Sequence, residues 1–264
     1  MTNKCCNQSE NNNDQSNINQ TSAVDKRYGA AAIDQEKCLC SPIAFNPKLL
    51  EVIPAENIEK DYGCGDPTRW IKKGDIVLDL GSGSGKNAFI CAQVVGKSGH
   101  VIGIDRNNEM LALSRQAAPI VAARIGFSNM TFLEGDIQAL DSMQGNGEQL
   151  VKDASIDVVI SNCVLNLVNP SDRERLLRNI KRVLRRNGRV AISDIVSNKK
   201  VPLNLQEDPE LWSGCISGAW QEDQFINDFK NLGFKEVICV DRSSMPWKVI
   251  EGIEFRSITL TGYL

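Results

Sequence analysis

The sequence predicts an α/β fold, a doubly wound and mostly parallel seven-stranded sheet with an antiparallel C-terminal strand. Three observations predict it. A short apolar run, Ile76-Val-Leu-Asp-Leu80, ends in the turn Gly81-Ser-Gly83-Ser-Gly85 and opens into a helix-like stretch, Lys86–Val95. Further β-branched runs then alternate with segments of helical apolar spacing, the pattern of strands joined by crossover helices. Two strand-like runs at residues 235–241 and 254–263 follow without a helix between them, as an antiparallel edge pair does.

Taken in order, residues 1–28 are rich in Asn, Gln, Ser and Asp and nearly free of large apolar side chains, so a disordered tail carrying Cys5 and Cys6 is expected. Residues 29–72 form a cysteine-bearing extension with Cys38-Leu-Cys40 and then Tyr62-Gly-Cys64-Gly-Asp-Pro67, where glycine on both sides lets backbone fold tightly around an exposed thiol. The main domain is expected over 73–264. Val101-Ile-Gly-Ile104 ending in Asp105 reads as the second strand. Asn108–Ile125 spaces Leu111, Leu113, Ala117, Val121 and Ile125 nearly as a helix face, and Met130–Glu134 reads as the third strand. Residues 141–155 are a polar surface loop. Residues 156–160 form the fourth, central strand and run into Ser161-Asn162-Cys163. Ligands of open α/β sheets bind beyond the carboxyl ends of the strands, so topology puts Cys163 on the ligand face; the alternative is a small buried hydrophobe.

Ser171-Asp-Arg-Glu174 is a capping box for a helix bearing Leu176, Leu177, Ile180, Val183 and Leu184, with its stop at Gly188 and a fifth strand over 189–194. Arg182, Arg185, Arg186 and Arg189 then cluster at and past a helix end, where the macrodipole favours cations. An insertion near 197–220 carries a third cysteine beside glycine, Trp212-Ser-Gly-Cys215-Ile-Ser-Gly-Ala219. Residues 221–232 read as a helix closed by Gly233. Cys91 and Cys239 lie within apolar runs and are expected in the core.

A glycine turn between strand and helix brings bare backbone and unpaired N–H groups to a ligand, which makes a nucleotide-type pocket. The spacing is G-x-G-x-G, and Lys86 and Asn87 stand where a dinucleotide fingerprint would need its last glycine, which weakens an NAD or FAD reading. Asp105, twenty residues after Gly85, ends the second strand, where a carboxylate can accept hydrogen bonds from both ribose hydroxyls; Asp136 is placed to bond an adenine amino group.

The 264 residues are 42% hydrophobic with a net charge of −3, enough for one substantial core and no footprint for nucleic acid. No apolar run approaches the ~20 residues of a membrane helix and the N-terminus shows no apolar signal segment, so a cytoplasmic protein is expected. Nine cysteines in a reducing compartment point to metal binding, catalysis or packing rather than disulfides. His100, the one histidine, falls at the turn into the second strand, away from the ligand side, and is not expected to act in catalysis.

The turn, Asp105 and Gly135-Asp136-Ile137 together resemble the class I S-adenosylmethionine-dependent methyltransferases. Tyr62-Gly-Cys64-Gly, Ser161-Asn-Cys163-Val-Leu-Asn-Leu167, Trp212-Ser-Gly-Cys215-Ile-Ser-Gly-Ala219 and Pro246-Trp-Lys-Val-Ile-Glu-Gly-Ile-Glu-Phe-Arg256 resemble, more narrowly, the arsenite methyltransferase family. The resemblance implies a Rossmann-like fold and methyl transfer from S-adenosyl-L-methionine to trivalent arsenic. It implies Cys64, Cys163 and Cys215 as arsenic ligands, with Cys38 or Cys40 as a fourth. The implied cofactor set is Asp79, Gly81, Gly83, Gly85, Asp105, Met110, Asp136, Ile137 and Asn162. A thiol reductant, glutathione or thioredoxin, is the expected co-substrate, arsenic is expected as a thiol conjugate, and the expected enzyme is a monomer with no nucleic-acid or membrane partner. Members often carry a further C-terminal domain, absent from the expected boundaries.

Trivalent arsenic is soft, and three thiolates would leave it a lone pair able to attack a sulfonium methyl without a general base. Its binding should grow with pH as thiols ionise. The competing readings are a methyltransferase for another small molecule with incidental cysteines, a non-catalytic metalloid or zinc protein, and an NAD-dependent oxidoreductase.

Overall fold

A computed structural model describes residues 9–36 and 43–264, and side chains of the first helix from residue 20 onward. Cys5, Cys6, Cys38 and Cys40 lie outside the described residues. In chain order the elements are α1 (Ser9–Ile33), α2 (Pro47–Leu50), α3 (Ala55–Glu59), β1 (Ile76–Leu80), α4 (Lys86–Val95), β2 (His100–Asp105), α5 (Asn108–Ile125), β3 (Met130–Glu134) and β4 (Ile156–Asn162). They continue with α6 (Arg173–Val183), β5 (Leu184–Ser197), α7 (Leu203–Gln206), α8 (Pro209–Ser213), β6 (Trp220–Gln221), α9 (Glu222–Asn231), β7 (Lys235–Arg242), β8 (Lys248–Ile250) and β9 (Ile253–Tyr263).

The strand order is β3-β2-β1-β4-β5-β9-β7, with the first five parallel and β9 antiparallel to both β5 and β7. All seven were legible as apolar runs. Two further pieces, β6 on β5 and β8 on β9, are two and three residues long, too short to leave a periodicity. Alternate strand positions feed two cores. Leu78, Leu80 and Val159 pack under Ile180, Val183, Phe225 and Phe229 of α6 and α9. Val77, Val158 and Ile160 pack under Phe89, Ile90, Leu111 and Val121 of α4 and α5. Helices on both faces leave the carboxyl ends of the strands as the open edge. No described helix is long and apolar enough to cross a membrane.

Several expectations are corrected. The expected disordered tail is largely α1. Its anchors are tertiary: Ala31 and Ala32 bury against Tyr62 and Met110, Gln20 donates to the Gln206 carbonyl at 2.7 Å, and Asp25 pairs with Arg106 at 3.0 Å. Small and polar side chains make these contacts, so no apolar run announces them. The capping box does not form, because α6 starts at Arg173 after a short 3-10 turn (Pro170–Asp172) and has no side-chain cap. That helix ends at Val183 and β5 begins at once. Gly188 serves a tight bend inside the strand, where a Cβ would lie 2.8 Å from the Arg185 carbonyl oxygen. Of the basic cluster, Arg182, Arg185 and Arg189 instead pair with Asp153, Asp157 and Asp75. Cys91 is fully buried, whereas Cys239 is only half-buried, its Sγ donating to the Asp241 carbonyl at 3.2 Å. His100 begins β2 at the edge opposite the open one, 3.0 Å from the Thr131 hydroxyl.

Candidate active site

The glycine turn shapes a cleft of about 1020 Å³ at the carboxyl ends of β1, β2 and β4. Gly81, Gly83 and Gly85 have φ of 71°, 51° and 94°, a region side chains disfavour. Each meets a different neighbour. A Cβ at Gly81 would lie 2.5 Å from Val164 and one at Gly85 2.8 Å from Phe89, while Gly83 faces open space in the cleft. Asp105 lines the cleft and accepts the Gly83 N–H at 2.8 Å and the Asn107 N–H at 2.9 Å. Burial pushes its carboxyl up, and these backbone donors oppose the shift. Met110, at the start of α5, and Ile137 also line the cleft.

Three members of the expected cofactor set lie elsewhere. Asp136 turns outward to Arg106, 3.3 Å away, while its neighbours Gly135 and Ile137 form the wall. Gly85 caps α4 behind the turn. Asp79 is buried beneath it, one carboxylate oxygen without a hydrogen-bond partner. Burial, then the like charges of Asp61 and Asp105, push Asp79 up to about 8 from 3.8. A raised folded-state pKa stabilises fully below the unfolded value and the benefit is lost as pH rises through the folded one. Unfolding free energy should therefore fall between about pH 4 and pH 8, and Asp79→Asn should remove about one proton's share of the slope, ~1.4 kcal/mol per unit. Urea denaturation at a series of pH values measures it; an unchanged slope would refute it.

Beside the cleft three thiols meet. Cys64 lies in the loop after α3, Cys163 is the first residue past β4, and Cys215 follows α8. The Asn162 side chain holds the first loop: its Oδ1 accepts the Cys64 N–H at 2.8 Å and the Gly65 N–H at 3.1 Å, and its Nδ2 donates to the Gly65 carbonyl at 2.8 Å. Asn162 was expected at the cofactor; its amide is committed to this clamp, although the residue also lines the cleft. The flanking glycines are steric. A Cβ at Gly63 would lie 2.3 Å from Asn162 Nδ2 and one at Gly65 2.4 Å from Ser193 Oγ. Cys64 is consequently buried, not exposed as its glycines suggested.

Cys163 and Cys215 both adopt left-handed backbone, φ 63° and 58°. Non-glycine residues there cost about 1–3 kcal/mol each, so the thiols are kept where glycine would be easier. Cys215 Sγ donates to the Cys163 carbonyl at 3.0 Å, and the Tyr28 hydroxyl lies 3.8 Å from Cys215 Sγ. Burial raises the Cys64 pKa and raises that of Cys163 further. Cys215 is raised well above its ordinary value by its bond to Cys163 and then by burial. The three cysteines line a small cavity with Tyr28, Tyr62, Ile195, Gly214 and Trp247. Tyr28, Tyr62 and Cys163 also line the cleft, so the two spaces adjoin.

Sequence reasoning missed Asp194, whose carboxylate oxygen lies within 4.8 Å of the Cys64 and Cys163 sulfurs. Burial pushes it up to about 7 against the N–H groups of Ile195 and Asn166 and the charge of Arg173. A signal existed, since Asp194 stands near the carboxyl end of the fifth predicted strand much as Asp105 ends the second. Tyr28 was missed because the tail was read as unstructured.

The profile of the family described as "Methyltransferase domain" matches residues 71–233. The chain is 37% identical to an arsenite methyltransferase of Aquipseudomonas alcaligenes over 191 residues, 72% of this chain and 51% of that protein. It is 32% identical to the arsenite methyltransferase of Mus musculus, over 75% of this chain and 53% of that one. Among solved structures it resembles an arsenic(III) S-adenosylmethionine methyltransferase from Chlamydomonas reinhardtii, with a TM-score of 0.72 and 31% identity, covering 84% of this chain and 74% of that one. The chain belongs to the arsenite methyltransferase family. It spans about half the length of the curated arsenite methyltransferases it matches. The class I fold expected of that family is the one observed, with its single reversed strand β9.

The cleft residues fit the S-adenosylmethionine of this arsenite methyltransferase family. Asn87 lines the cleft with its Oδ1 buried and without a hydrogen-bond partner, and Ser82 Oγ is likewise unpartnered. Asp105 faces the same space, as do Asp25 and Asp61, which pair with Arg106 and Lys86, and Gly83 presents no side chain to it.

Proposed function

We propose that this chain methylates trivalent arsenic held by Cys64, Cys163 and Cys215, with S-adenosylmethionine as donor. The observation that supports it is the meeting of three thiols, from segments some fifty to a hundred residues apart in sequence, in one buried cavity adjoining the cofactor cleft. Bound in the cleft, S-adenosylmethionine would supply an electrophilic methyl carbon on a sulfonium. Asp105, Met110, Ile137 and Asn87 would hold it there. The Asn162 clamp fixes the backbone of Cys64, and left-handed turns set the backbone of Cys163 and Cys215, so the segments that carry the thiols are held beside the cleft. Tyr28, Tyr62 and Trp247 wall the cavity against water. Three thiolates would leave arsenic no ionisable oxygen, so no base is needed at the metalloid.

The enzyme would draw a thiol reductant, glutathione or thioredoxin, from a reducing cytoplasm, and would act as a monomer because one chain supplies every site residue. Incubation with arsenite, glutathione and S-adenosylmethionine, followed by chromatographic separation, should give methylated arsenic. None under varied thiol conditions would overturn the reading. Because all three thiols are raised, few are ionised at neutral pH, so the arsenite association rate should climb steadily from about pH 7 to pH 9. Stopped-flow tryptophan fluorescence reads that rate, and a plateau below pH 8 would contradict it. A second reading, divalent-metal binding, is favoured by the Cys64–Cys163–Asp194 donor set; stoichiometric zinc in protein purified without arsenic would support it.

A further inference from the structure

Helix α1 has two opposite lined faces. Thr21, Val24, Asp25 and Tyr28 face the cofactor cleft. Ala23, Lys26, Arg27 and Ala30 face a second groove, of about 1200 Å³, whose other walls are α8, Gly214 and Lys248. At about 100° per residue the two quartets fall on opposite sides of the helix. Each space touches the thiols. The cleft shares Tyr28, Tyr62 and Cys163 with the thiol cavity, and the groove shares Gly214 with it, the residue before Cys215.

The groove side is a frame with free cations at its rim. The Arg27 guanidinium is held by Glu36 and donates to the Glu210 carbonyl at 2.9 Å and to Ser213 Oγ at 3.1 Å. A Cβ at Gly214 would lie 3.2 Å from Arg27 Nη1, so glycine there keeps the partition between groove and thiols thin. Lys26 and Lys248 are exposed and neither makes an ion pair among the described residues; Lys248 Nζ lies 4.8 Å from the ring of Trp247, itself a wall of the thiol cavity. Ionisable side chains lining the groove are three cations against two carboxylates, Glu36 and Glu210.

We propose that this groove is the port through which arsenic, carried as a complex of an anionic thiol, reaches Cys64, Cys163 and Cys215 from the side opposite the cofactor, with Lys26 and Lys248 receiving the carrier's carboxylates. The inference rests on the arsenic reading above and adds the site and its charge. The exchange balances without redox chemistry: each protein sulfur forms an arsenic–sulfur bond, one carrier arsenic–sulfur bond breaks, and the protein thiol's proton goes to the departing carrier sulfur. Three such steps seat the metalloid and release three carrier thiols.

The test is a tryptophan-fluorescence titration of the full chain with the arsenite–glutathione complex and with the complex of uncharged mercaptoethanol, in saturating S-adenosylhomocysteine. The parent should bind both complexes with the cleft filled. Lys26→Glu with Lys248→Glu should weaken the glutathione complex about tenfold, two exposed attractions becoming repulsions, and leave the mercaptoethanol complex within about twofold. Gly214→Val should slow binding of both without altering S-adenosylhomocysteine affinity. Equal effects of the lysine changes on both carriers, no effect on either, or exclusion by S-adenosylhomocysteine would overturn the port alone. Failure of the parent to bind either complex, with or without S-adenosylhomocysteine, would overturn the arsenic reading and the port with it.

Discussion

Replacing Cys163 by serine is expected to reduce arsenic methylation more than about a hundredfold while leaving S-adenosylmethionine affinity within a few-fold of the parent. Serine keeps the size of cysteine but offers a hard oxygen in place of a soft sulfur, and trivalent arsenic discriminates strongly between them. Disturbing even an outer-shell partner of a metal ligand typically costs 10–100-fold, so loss of a ligand itself should exceed that range. Cys91→Ser is the control. Cys91 is as deeply buried, in the apolar core under α4, so its serine variant should lose comparable stability and keep its methylation rate. Purified variants compared by product chromatography and calorimetric cofactor titration decide it: a Cys163→Ser enzyme with parental turnover, or one that no longer binds cofactor, would remove the case for arsenic ligation.

How much of this was legible follows from what each contact is made of. Strand β1, its glycine turn and α4 were readable residue for residue, because a buried parallel strand must be a continuous apolar run and the turn must be glycine. The three cysteines were readable through the segments around them, but their meeting was not, since it depends on Asn162, Gly63 and Gly65 fitting together across nearly a hundred residues of sequence. Helix α1 was illegible for a different reason. Its stability comes from alanines under Tyr62 and Met110 and from polar bonds to α8 and Arg106, contacts that local composition does not encode. Asp136 shows the converse. A carboxylate just past a strand end reads as a ligand group, and the sequence does not show that it also pairs with Arg106, 3.3 Å away.

The largest stability effect is expected at Arg189, and it bears on the thiols. At the start of the regular part of β5, this guanidinium donates to the Trp70 carbonyl through Nε at 2.9 Å and Nη2 at 2.7 Å, and pairs with Asp75, the two side chains 8% and 11% exposed. It thereby ties to the sheet the 3-10 turn (Pro67–Trp70) that leaves the Cys64 loop, whose other end Asn162 holds. Arg189→Ala should cost about 3–5 kcal/mol, because it strands a buried carboxylate as well as removing its partner. Replacing Arg189 and Asp75 together by apolar residues of similar volume should cost much less, since no charge is then left unpaired. Urea denaturation of the single and double variants separates the two contributions. In Arg189→Ala protein that remains folded, arsenic affinity should fall more than cofactor affinity, because Cys64 stands closer along the chain to the loosened turn than Tyr62 and Gly63, the part of this loop that lines the cleft. A single variant within about 1 kcal/mol of the parent, or equal losses for both ligands, would show that Asn162 alone is enough to place Cys64.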